Sequence, residues 1–445
     1  MQTKKKREER HEQATKSLVA TALAHFVNDG TLYIFPMLYP ILIKSYGLSQ
    51  PLVGSLASLT SLFAIAAAPF VGRRSDRSQN YGYMMTLGIV LMAFGILGYA
   101  FSVIYLRGFD LFLTLLPSTL LVGVGSSFYH PLAASILDSK WDASSRGRAM
   151  GINGSMGSLG VTLYPIITVA LVVALTIPSI AILALVSFAS AVIVLKLMSN
   201  TSSVPSSENS ISILHGEEEE EEKEGSDDRE NATTTKEKGE VEIRRKRRRD
   251  SISFKILLPT IAALTVVSFV RGLVQGVIVF LPTYLQIDRH VDYAYLGLAI
   301  AIMPAMGILS QPSFGYVSDR LGRRLALAIS GIGLAASFLL FLSVQNVVLG
   351  EIFLALFGLF NFTSFPLVLG LATEISPEGA KTIASSIVWG VGTTGGGALG
   401  PILVAILALP SALGSLGASF YALTLLTLIS VAILPFVPRP ARRKN

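Results

Sequence analysis

Two apolar runs in the second half of the chain are joined by Gly315-Tyr316-Val317-Ser318-Asp319-Arg320-Leu321-Gly322-Arg323-Arg324. A related stretch, Gly72-Arg73-Arg74-Ser75-Asp76-Arg77, lies 243 residues earlier, also between apolar runs. The same offset relates five positions here, and it recurs at three distant pairs. The pairs are Pro69/Pro312, Gly72/Gly315, Ser75/Ser318, Asp76/Asp319, Arg77/Arg320, Phe26/Phe269, Val27/Val270 and Gly54/Gly297. The sequence therefore predicts two related halves.

The composition restricts the class of protein. Hydrophobic residues make up 51% and charged residues 15% of the 445, and the mean hydropathy is +0.59. The hydrophobic share and the mean hydropathy lie above those of ordinary soluble domains and the charged share lies below, as is typical of a protein that crosses a membrane many times. The chain has no cysteine, which excludes disulfides, thiolate catalysis and cysteine metal sites.

Apolar runs of about twenty residues or more predict twelve transmembrane helices. The fold class is therefore an all-α membrane protein with two pseudo-symmetric six-helix bundles. We expect a basic N-terminus at 1–16, bundles at 17–198 and 253–437, a linker at 199–252 and a tail at 438–445. The predicted spans are 17–43, 51–72, 82–104, 111–137, 148–174 and 178–198, then 256–286, 293–317, 325–345, 348–372, 381–408 and 412–437.

The basic residues predict the orientation of these spans. The outer loops contain Lys44, Arg107 and Arg289, and Arg271 lies within a span. The remaining 32 of the 36 Lys and Arg residues therefore lie on one side. By the positive-inside rule this side is cytoplasmic, so both termini are expected in the cytoplasm of a cell-membrane protein.

The linker at 199–252 is highly charged. It contains the acidic run Glu217–Glu222 and the basic run Arg244–Arg249, with few apolar side chains. Such a composition cannot bury a core, so the linker is expected to be disordered. Its basic run adjoins a predicted span and is expected to contact anionic lipid headgroups, so a nucleic-acid partner is not expected.

The pattern Gly-x-x-x-Asp-Arg-x-Gly-Arg-Arg resembles the loop signature of the major facilitator superfamily of secondary transporters. There it joins helices 2 and 3, and helices 8 and 9. The second copy matches at every position, and the first lacks the trailing Gly-Arg-Arg. An ordinary charged turn facing water is the alternative. The resemblance implies a cytoplasmic gate formed by Gly72, Asp76, Arg77, Gly315, Asp319, Arg320, Gly322, Arg323 and Arg324.

Polar side chains inside the spans are the candidates for transport chemistry, because burying them in hydrocarbon is costly. His25, Asp29 and Tyr33 recur every four residues, hence on one helix face, with Asn28 beside them. Asp29 lies roughly 18 Å along the first span, near the middle of the membrane. The seventh span carries Arg271 and Gln275 at a similar depth.

Arg271 corresponds to Asn28 through the 243-residue offset, so it lies next to the counterpart of Asp29. Asp29 and Arg271 are therefore expected to be partners across the pseudo-two-fold axis. Two alternatives remain open: a fixed structural ion pair, or capture of each charge within its own half.

The fourth span contains Gly123-Val124-Gly125-Ser126-Ser127-Phe128-Tyr129-His130-Pro131. Together with His25 to Gly30, this stretch resembles the fosmidomycin-resistance group of the superfamily, which are proton-driven drug exporters. That group commonly has an acidic residue after His-Pro, whereas this chain has Leu132. Coupling must then rest on Asp29, His25 or His130, or be absent. Alternatively, His130-Pro131 only kinks the helix. Tyr129 and, in the tenth span, Asn361 complete the predicted cavity.

Three functions remain open on the sequence. The first is a proton-coupled exporter of drug-like or small organic compounds, working by alternating access. The second is a proton-coupled importer of an anionic metabolite bound by Arg271. The third is a non-transporting membrane sensor that signals through residues 199–252. The expected partners are the lipid bilayer, a small-molecule substrate and protons. A functional monomer without catalytic residues, metal or cofactor is expected. Nothing suggests that a nucleotide drives transport directly, because no Gly-x-x-x-x-Gly-Lys-Ser/Thr motif is present.

Overall fold

The computed structural model of the protein describes residues 2–78, 80–199, 231–377 and 380–438. Within these residues the regular structure is entirely helical. Twelve helical segments there are long and apolar enough to cross a membrane, which confirms the predicted fold class. We number them span 1 to span 12 in chain order.

The helices of the first half have the following bounds. Span 1 comprises helices Gln2–Leu32 and Ile34–Tyr46, span 2 is Gln50–Ser78, span 3 is Tyr81–Tyr105, span 4 comprises Gly108–Ser126 and Tyr129–Lys140, span 5 is Ala143–Leu175, and span 6 is the short turn Ile177–Ile180 with helix Ala181–Ser199.

The second half repeats this arrangement. Span 7 is Asn231–Ile287, span 8 is Tyr293–Leu321, span 9 is Arg323–Ser343, span 10 comprises Val347–Asn361 and Ser364–Ile375, span 11 comprises Lys381–Ile387, the π-helical segment Val388–Thr394 and Gly395–Leu407, and span 12 is Leu416–Ile433 followed by Leu434–Phe436.

Several helices are longer than the apolar runs that predict them. Helix Gln2–Leu32 includes most of the predicted N-terminal tail, and helix Asn231–Ile287 includes the end of the predicted disordered linker. Lys, Arg and Glu are good helix formers, so charge alone does not end a helix. Residues 200–230 of the linker and 439–445 of the tail lie outside the described residues.

The second copy of the duplicated signature is also more helical than the predicted loop. Gly315 to Leu321 belong to span 8, and the helix ends only at Gly322, whose φ is 83°. A side chain strongly disfavours that backbone conformation, whereas glycine adopts it readily. Span 9 begins at the next residue, Arg323. The signature is therefore the last turns of one helix and the start of the next.

Spans 4 and 10 are interrupted at equivalent places. Span 4 is interrupted at Ser127 and Phe128, and span 10 at Phe362 and Thr363. In each span a proline follows the first of these residues by four positions, at Pro131 and Pro366. Proline has no N–H to donate to that carbonyl, and its ring clashes with it. Both breaks therefore have a local cause that the duplication preserved.

Arg107 and Arg289, two of the basic residues that depart from the charge asymmetry, cap helices. Arg107 donates to the carbonyls of Val103 and Leu106 at the end of span 3, at 2.8 and 2.7 Å. Arg289 donates to the carbonyls of Leu342 and Val344 at the end of span 9, at 2.7 and 2.6 Å. A guanidinium there satisfies carbonyls that lack helical partners and complements the helix dipole.

The two halves meet near the end of the bundle that is distant from both termini. Gly54 of span 2 lies against Pro401 and Ala405 of span 11, and Gly297 of span 8 lies against Pro165 and Ile166 of span 5. These two contacts correspond through the duplication, because Gly54 and Gly297 share the 243-residue offset. Tyr293 also donates its hydroxyl to the carbonyl of Met37, at 3.0 Å.

We call the other end the basic end, because the described basic residues near the starts of spans 1 and 9 and near the ends of spans 2 and 8 lie there. In this region a Cβ added at Gly72, Gly151, Gly154, Gly315 or Gly390 would meet no atom within 4 Å. These glycines lie in spans 2, 5, 8 and 11, the same spans that make the contacts between halves at the opposite end. The contacts of these spans between the halves therefore lie at the end distant from the termini, whereas these glycines of the basic end adjoin open space.

Candidate functional site

Asp29 lies at the centre of a polar cluster within the first half. It is near the middle of the 36-residue apolar stretch His11–Tyr46. Its Oδ2 atom lies 3.1 Å from Nε2 of His25, and its Oδ1 atom lies 3.6 Å from Nε2 of His130. Asn28 donates from Nδ2 to Oδ1, at 2.9 Å. Spans 1 and 4 thus bring together the four residues that the sequence predicts, although the sequence does not give their mutual geometry.

Span 5 holds the His25 ring in place. Nδ1 of His25 lies 2.7 Å from the main-chain carbonyl oxygen of Asn153. The Asn153 side chain pairs with the hydroxyl of Tyr129, which donates to Oδ1 at 3.0 Å, and Tyr129 stacks on His25 with ring centroids 4.5 Å apart. Gly157 leaves room for the imidazole, since a Cβ there would collide with it. Span 5 approaches closely enough to do this because its own residues at the contact are small.

The two histidines differ in their access to the open space. The side chain of His25 is 13% exposed and that of Asp29 24%, whereas that of His130 is 65% exposed. The cluster therefore has a buried side at His25 and an open side at His130. The break in span 4 produces this arrangement, because His130 follows it directly and begins the second helix of that span.

Arg271 does not pair with Asp29, so the predicted partnership across the pseudo-two-fold axis is wrong. Arg271 is 7% exposed and donates from Nη2 to Ser330, at 2.9 Å, and from Nε to Ser364, at 3.0 Å. Ser330 belongs to span 9 and Ser364 to span 10, so the guanidinium lies inside the second half. The physical reason follows from the offset: Arg271 matches Asn28, which is buried, and not Asp29.

The Arg271 charge lies beside the break in span 10. No carboxylate among the described side chains forms a salt bridge with it. Ser330 also donates to the carbonyl of Phe360, at 2.9 Å, near the C-terminus of helix Val347–Asn361. Because the C-terminus of a helix carries partial negative charge, the interrupted helix stabilises the guanidinium. Asp29 therefore has its partners in the first half and Arg271 has its partners in the second, so each charge is captured within its own half.

The remaining predicted cavity residues lie at the margins of these two clusters. Tyr33 is half-buried at the interruption of span 1, where its N–H donates to the carbonyl of Gly30, at 2.9 Å. Gln275 is half-buried one turn beyond Arg271, beside Gly397 of span 11. Asn361 is the last residue before the break in span 10 and is half-buried.

Some of the predicted gate residues make side-chain contacts, and others are exposed. Arg323 forms an ion pair with Glu374 of span 10, with Nε and Oε1 2.5 Å apart. Gly370 allows this pair, since a Cβ there would collide with the guanidinium of Arg323. Asp319 is exposed, and Arg320 lies 4.3 Å above the Tyr316 ring. Arg324 is half-buried, while the side chains of Asp76 and Arg77 lie outside the described ones.

Sequence reasoning missed two residues here. Asn153 is the one amide side chain in the glycine-rich part of span 5, a signal that could have identified it. Glu374 is absent from the predicted gate residues, yet it binds one of them, Arg323.

Comparisons with known proteins agree with the helical architecture. The model of the Major Facilitator Superfamily matches residues 21–401 and 264–445. Two uncharacterized MFS-type transporters of Bacillus subtilis (strain 168) are similar in part. YfnC is 27% identical over 158 residues, and YqjV is 28% identical over 136 residues. These alignments span 36% and 32% of the relatives' own lengths, about a third of each.

Two solved structures share the fold over nearly the whole chain. A bacterial homologue of the human lysosomal transporter Spinster, in an inward-facing and occupied conformation, has a TM-score of 0.70 at 14% identity and covers 95% of this chain and 96% of its own. A D-xylose-proton symporter has a TM-score of 0.69 at 14% identity and covers 95% and 97%. With the family model matching most of its length, the chain belongs to the Major Facilitator Superfamily and is a transporter, not an enzyme.

Proposed function

We propose that this transporter is a proton-coupled exporter of drug-like or small organic compounds that works by alternating access. The observation that carries the proposal is the cluster of one carboxylate and two imidazoles halfway along the spans. Asp29 contacts both His25 and His130, and the His130 side chain is 65% exposed. Carboxylates and histidines are the groups that carry protons through transporters.

The hydrogen bonds of His25 support a proton-binding role. The carbonyl of Asn153 can only accept, so Nδ1 of His25 must carry the hydrogen of their 2.7 Å contact. A neutral imidazole then has no hydrogen on Nε2, the atom 3.1 Å from Asp29. Two acceptors at that distance repel each other unless one carries a proton. The pair is therefore built to hold one proton, either as imidazolium and carboxylate or as a neutral acid and imidazole.

His130 provides the route between this proton and water. Its side chain is the most exposed of the three, and its Nε2 atom lies 3.6 Å from Oδ1 of Asp29, the carboxylate oxygen that does not contact His25. His25 cannot pass a proton onward through Nδ1, because that nitrogen is bonded to a carbonyl. We therefore assign His25 as the buried store, Asp29 as the shared carboxylate and His130 as the port.

The state of the bundle fits an alternating-access cycle. If the basic end is cytoplasmic, as the charge asymmetry predicts, this structure is open to the cytoplasm. The contacts of Gly54 with Pro401 and of Gly297 with Pro165 then form the closed outer end. The opposite state requires these contacts to separate while the signature segments near Gly72 and Gly315 approach spans 11 and 5. Rocking of two similar halves produces both states.

The position of Arg271 favours export over import of an anion. The import hypothesis needs Arg271 as the ligand of the anion. Its guanidinium instead donates to Ser330 and Ser364 inside the second half and is 7% exposed. Arg271 is therefore engaged within its own half, which counts against its use as the ligand of an imported anion.

Transport in everted vesicles tests this proposal, with an imposed pH gradient and a panel of fluorescent organic compounds. With an acidic lumen, the export proposal expects at least one compound to accumulate inside while protons leave. A His290→Gln variant serves as the matched control, because His290 lies in the loop between spans 7 and 8. If lumenal acidity drives compounds out of the vesicles, the protein is an importer. If only a sodium gradient drives movement, proton coupling is contradicted.

A further inference from the structure

A groove lies on the outer face of the first half near the basic end. Its volume is about 600 Å³, within the range of roughly 300–1,000 Å³ typical of small-molecule sites. Spans 2, 3 and 4 form its walls. The apolar lining consists chiefly of Phe70, Val71, Met84, Leu87, Val124 and Phe128.

Every residue that lines the groove belongs to the first half of the protein. Its middle wall is span 3, which packs against spans 4 and 6 of its own half. Phe70 is 70% exposed and Tyr83 58%, so the aromatic side chains beside the groove are open to the surroundings. In a bundle that crosses a membrane, these surroundings are lipid, and aromatic side chains are enriched where the hydrocarbon ends.

One end of the groove carries groups that recognise phosphate. Arg74 is exposed and forms no salt bridge with any described acidic side chain. Asn80 accepts from the N–H of Tyr83, at 3.3 Å, through its side-chain oxygen, so its amide hydrogens remain available to donate. Span 3 begins at Tyr81, and the start of a helix attracts anions through its dipole.

We propose that this groove binds an anionic phospholipid. One acyl chain occupies the apolar part, and the phosphate lies between Arg74, Asn80 and the start of span 3. The charge complementarity selects the headgroup: choline would bring a second cation next to Arg74, whereas glycerol adds no charge. Arginine is suited to the phosphate because its planar donors engage two oxygens together.

The lipid would also contact Phe128, which directly precedes Tyr129 and His130 of the polar cluster around Asp29. Phe128 lines the groove at the break in span 4, and it packs against Gly88 of span 3. The next two residues, Tyr129 and His130, turn to the other side and contact His25 and Asp29. A lipid pressing on Phe128 thereby affects the position of His130. This regulatory consequence rests on the proposed function, whereas binding itself does not.

Native mass spectrometry of the full-length protein in detergent tests the binding site directly. Dioleoylphosphatidylglycerol and dioleoylphosphatidylcholine are titrated in parallel. Wild type should retain phosphatidylglycerol preferentially, and Arg74→Gln should bind it about tenfold more weakly, as expected for loss of a charged hydrogen bond. The matched control is Arg73→Gln, which removes the same charge at the neighbouring position outside the groove and should bind as wild type does.

A second variant tests the acyl-chain part. Ala67 lines the groove, so Ala67→Phe fills it without changing the charge, and it should also weaken retention of phosphatidylglycerol. Equal loss in Arg73→Gln and Arg74→Gln would reduce the site to a general attraction of basic residues. Unchanged retention in Ala67→Phe, or equal binding of both lipids by wild type, would overturn the proposal. None of these measurements depends on transport.

Discussion

Nε2 of His25 lies 3.1 Å from Oδ2 of Asp29, and the opposite ring nitrogen of His25 is bonded to a main-chain carbonyl. The carbonyl fixes which nitrogen is protonated in the neutral ring, so the contact with Asp29 requires an additional proton. Under the proposed function, the position in which span 5 places Asn153 makes this pair hold a proton. The predictions below follow from this relationship and from the separate position of Arg271.

The first prediction concerns Tyr129, the residue that positions Asn153 and the His25 ring. Tyr129→Phe keeps the stacked ring but removes the hydrogen bond to Asn153. Losing one hydrogen bond of about 1 kcal/mol should shift the pH dependence of transport and lower its rate severalfold. Substrate affinity at the optimal pH should stay near that of wild type. A lower rate with an unchanged pH profile would mean that Tyr129 has a purely structural role.

The second prediction concerns His130 as the proton port. His130→Gln should slow proton-coupled transport by about 10²-fold or more, the usual contribution of a positioned proton donor. Downhill exchange of substrate should continue, because His130 does not close either end of the bundle. Stopped-flow measurement of lumenal pH in proteoliposomes gives the proton rate. Equal proton rates in His130→Gln and wild type would contradict the port, and His25→Gln would then be compared in its place.

The third prediction concerns Arg271 as a structural residue of the second half. Arg271→Ala removes the hydrogen bonds to Ser330 and Ser364 and leaves a cavity between spans 7, 9 and 10. Thermal unfolding in detergent should show a loss of stability of about 2–4 kcal/mol. Substrate affinity of the folded fraction should be unchanged. A large loss of affinity for anions at unchanged stability would instead revive Arg271 as a substrate ligand.

The fourth prediction concerns the gate at the basic end. Asp319 is exposed in this open state, so Asp319→Asn should leave substrate affinity nearly unchanged but reduce transport, because the closed state loses a contact. Arg323→Gln and Glu374→Gln should have similar effects on transport, and exchange of the two residues should restore part of it. Their ion pair is partly exposed, so each substitution should change overall stability by less than about 1 kcal/mol. Loss of substrate binding in Asp319→Asn would contradict the gate.

The fold was predictable from the sequence because its signals are local. Twelve apolar runs and a duplicated signature require no knowledge of tertiary contacts, and Pro131 and Pro366 mark both interrupted helices. The ends of helices were less predictable, since charged residues continue the helix as far as Gly322.

The sequence predicts which residues belong to the site but not how they contact one another. His25 and Asp29 share a helix face, and His130 follows a proline-dependent break. Asn153 contributes chiefly a main-chain carbonyl, which every residue has, so its amide side chain marks the position in span 5 but does not predict the contact with His25. The expected pair of Asp29 and Arg271 failed for a related reason: equivalent depth in two halves does not fix the direction of a side chain, and a difference of one residue rotates it by about 100° around the helix.

Proton flux coupled to substrate in reconstituted Asp29→Asn protein is the most direct test of this account. For a neutral compound exchanged for one proton, a gradient of one pH unit should sustain about tenfold accumulation in wild type. In Asp29→Asn the accumulation should fall to about onefold and the coupled proton flux should vanish, while downhill exchange of the compound continues. Proton flux and accumulation equal to those of wild type would contradict Asp29 as the coupling carboxylate.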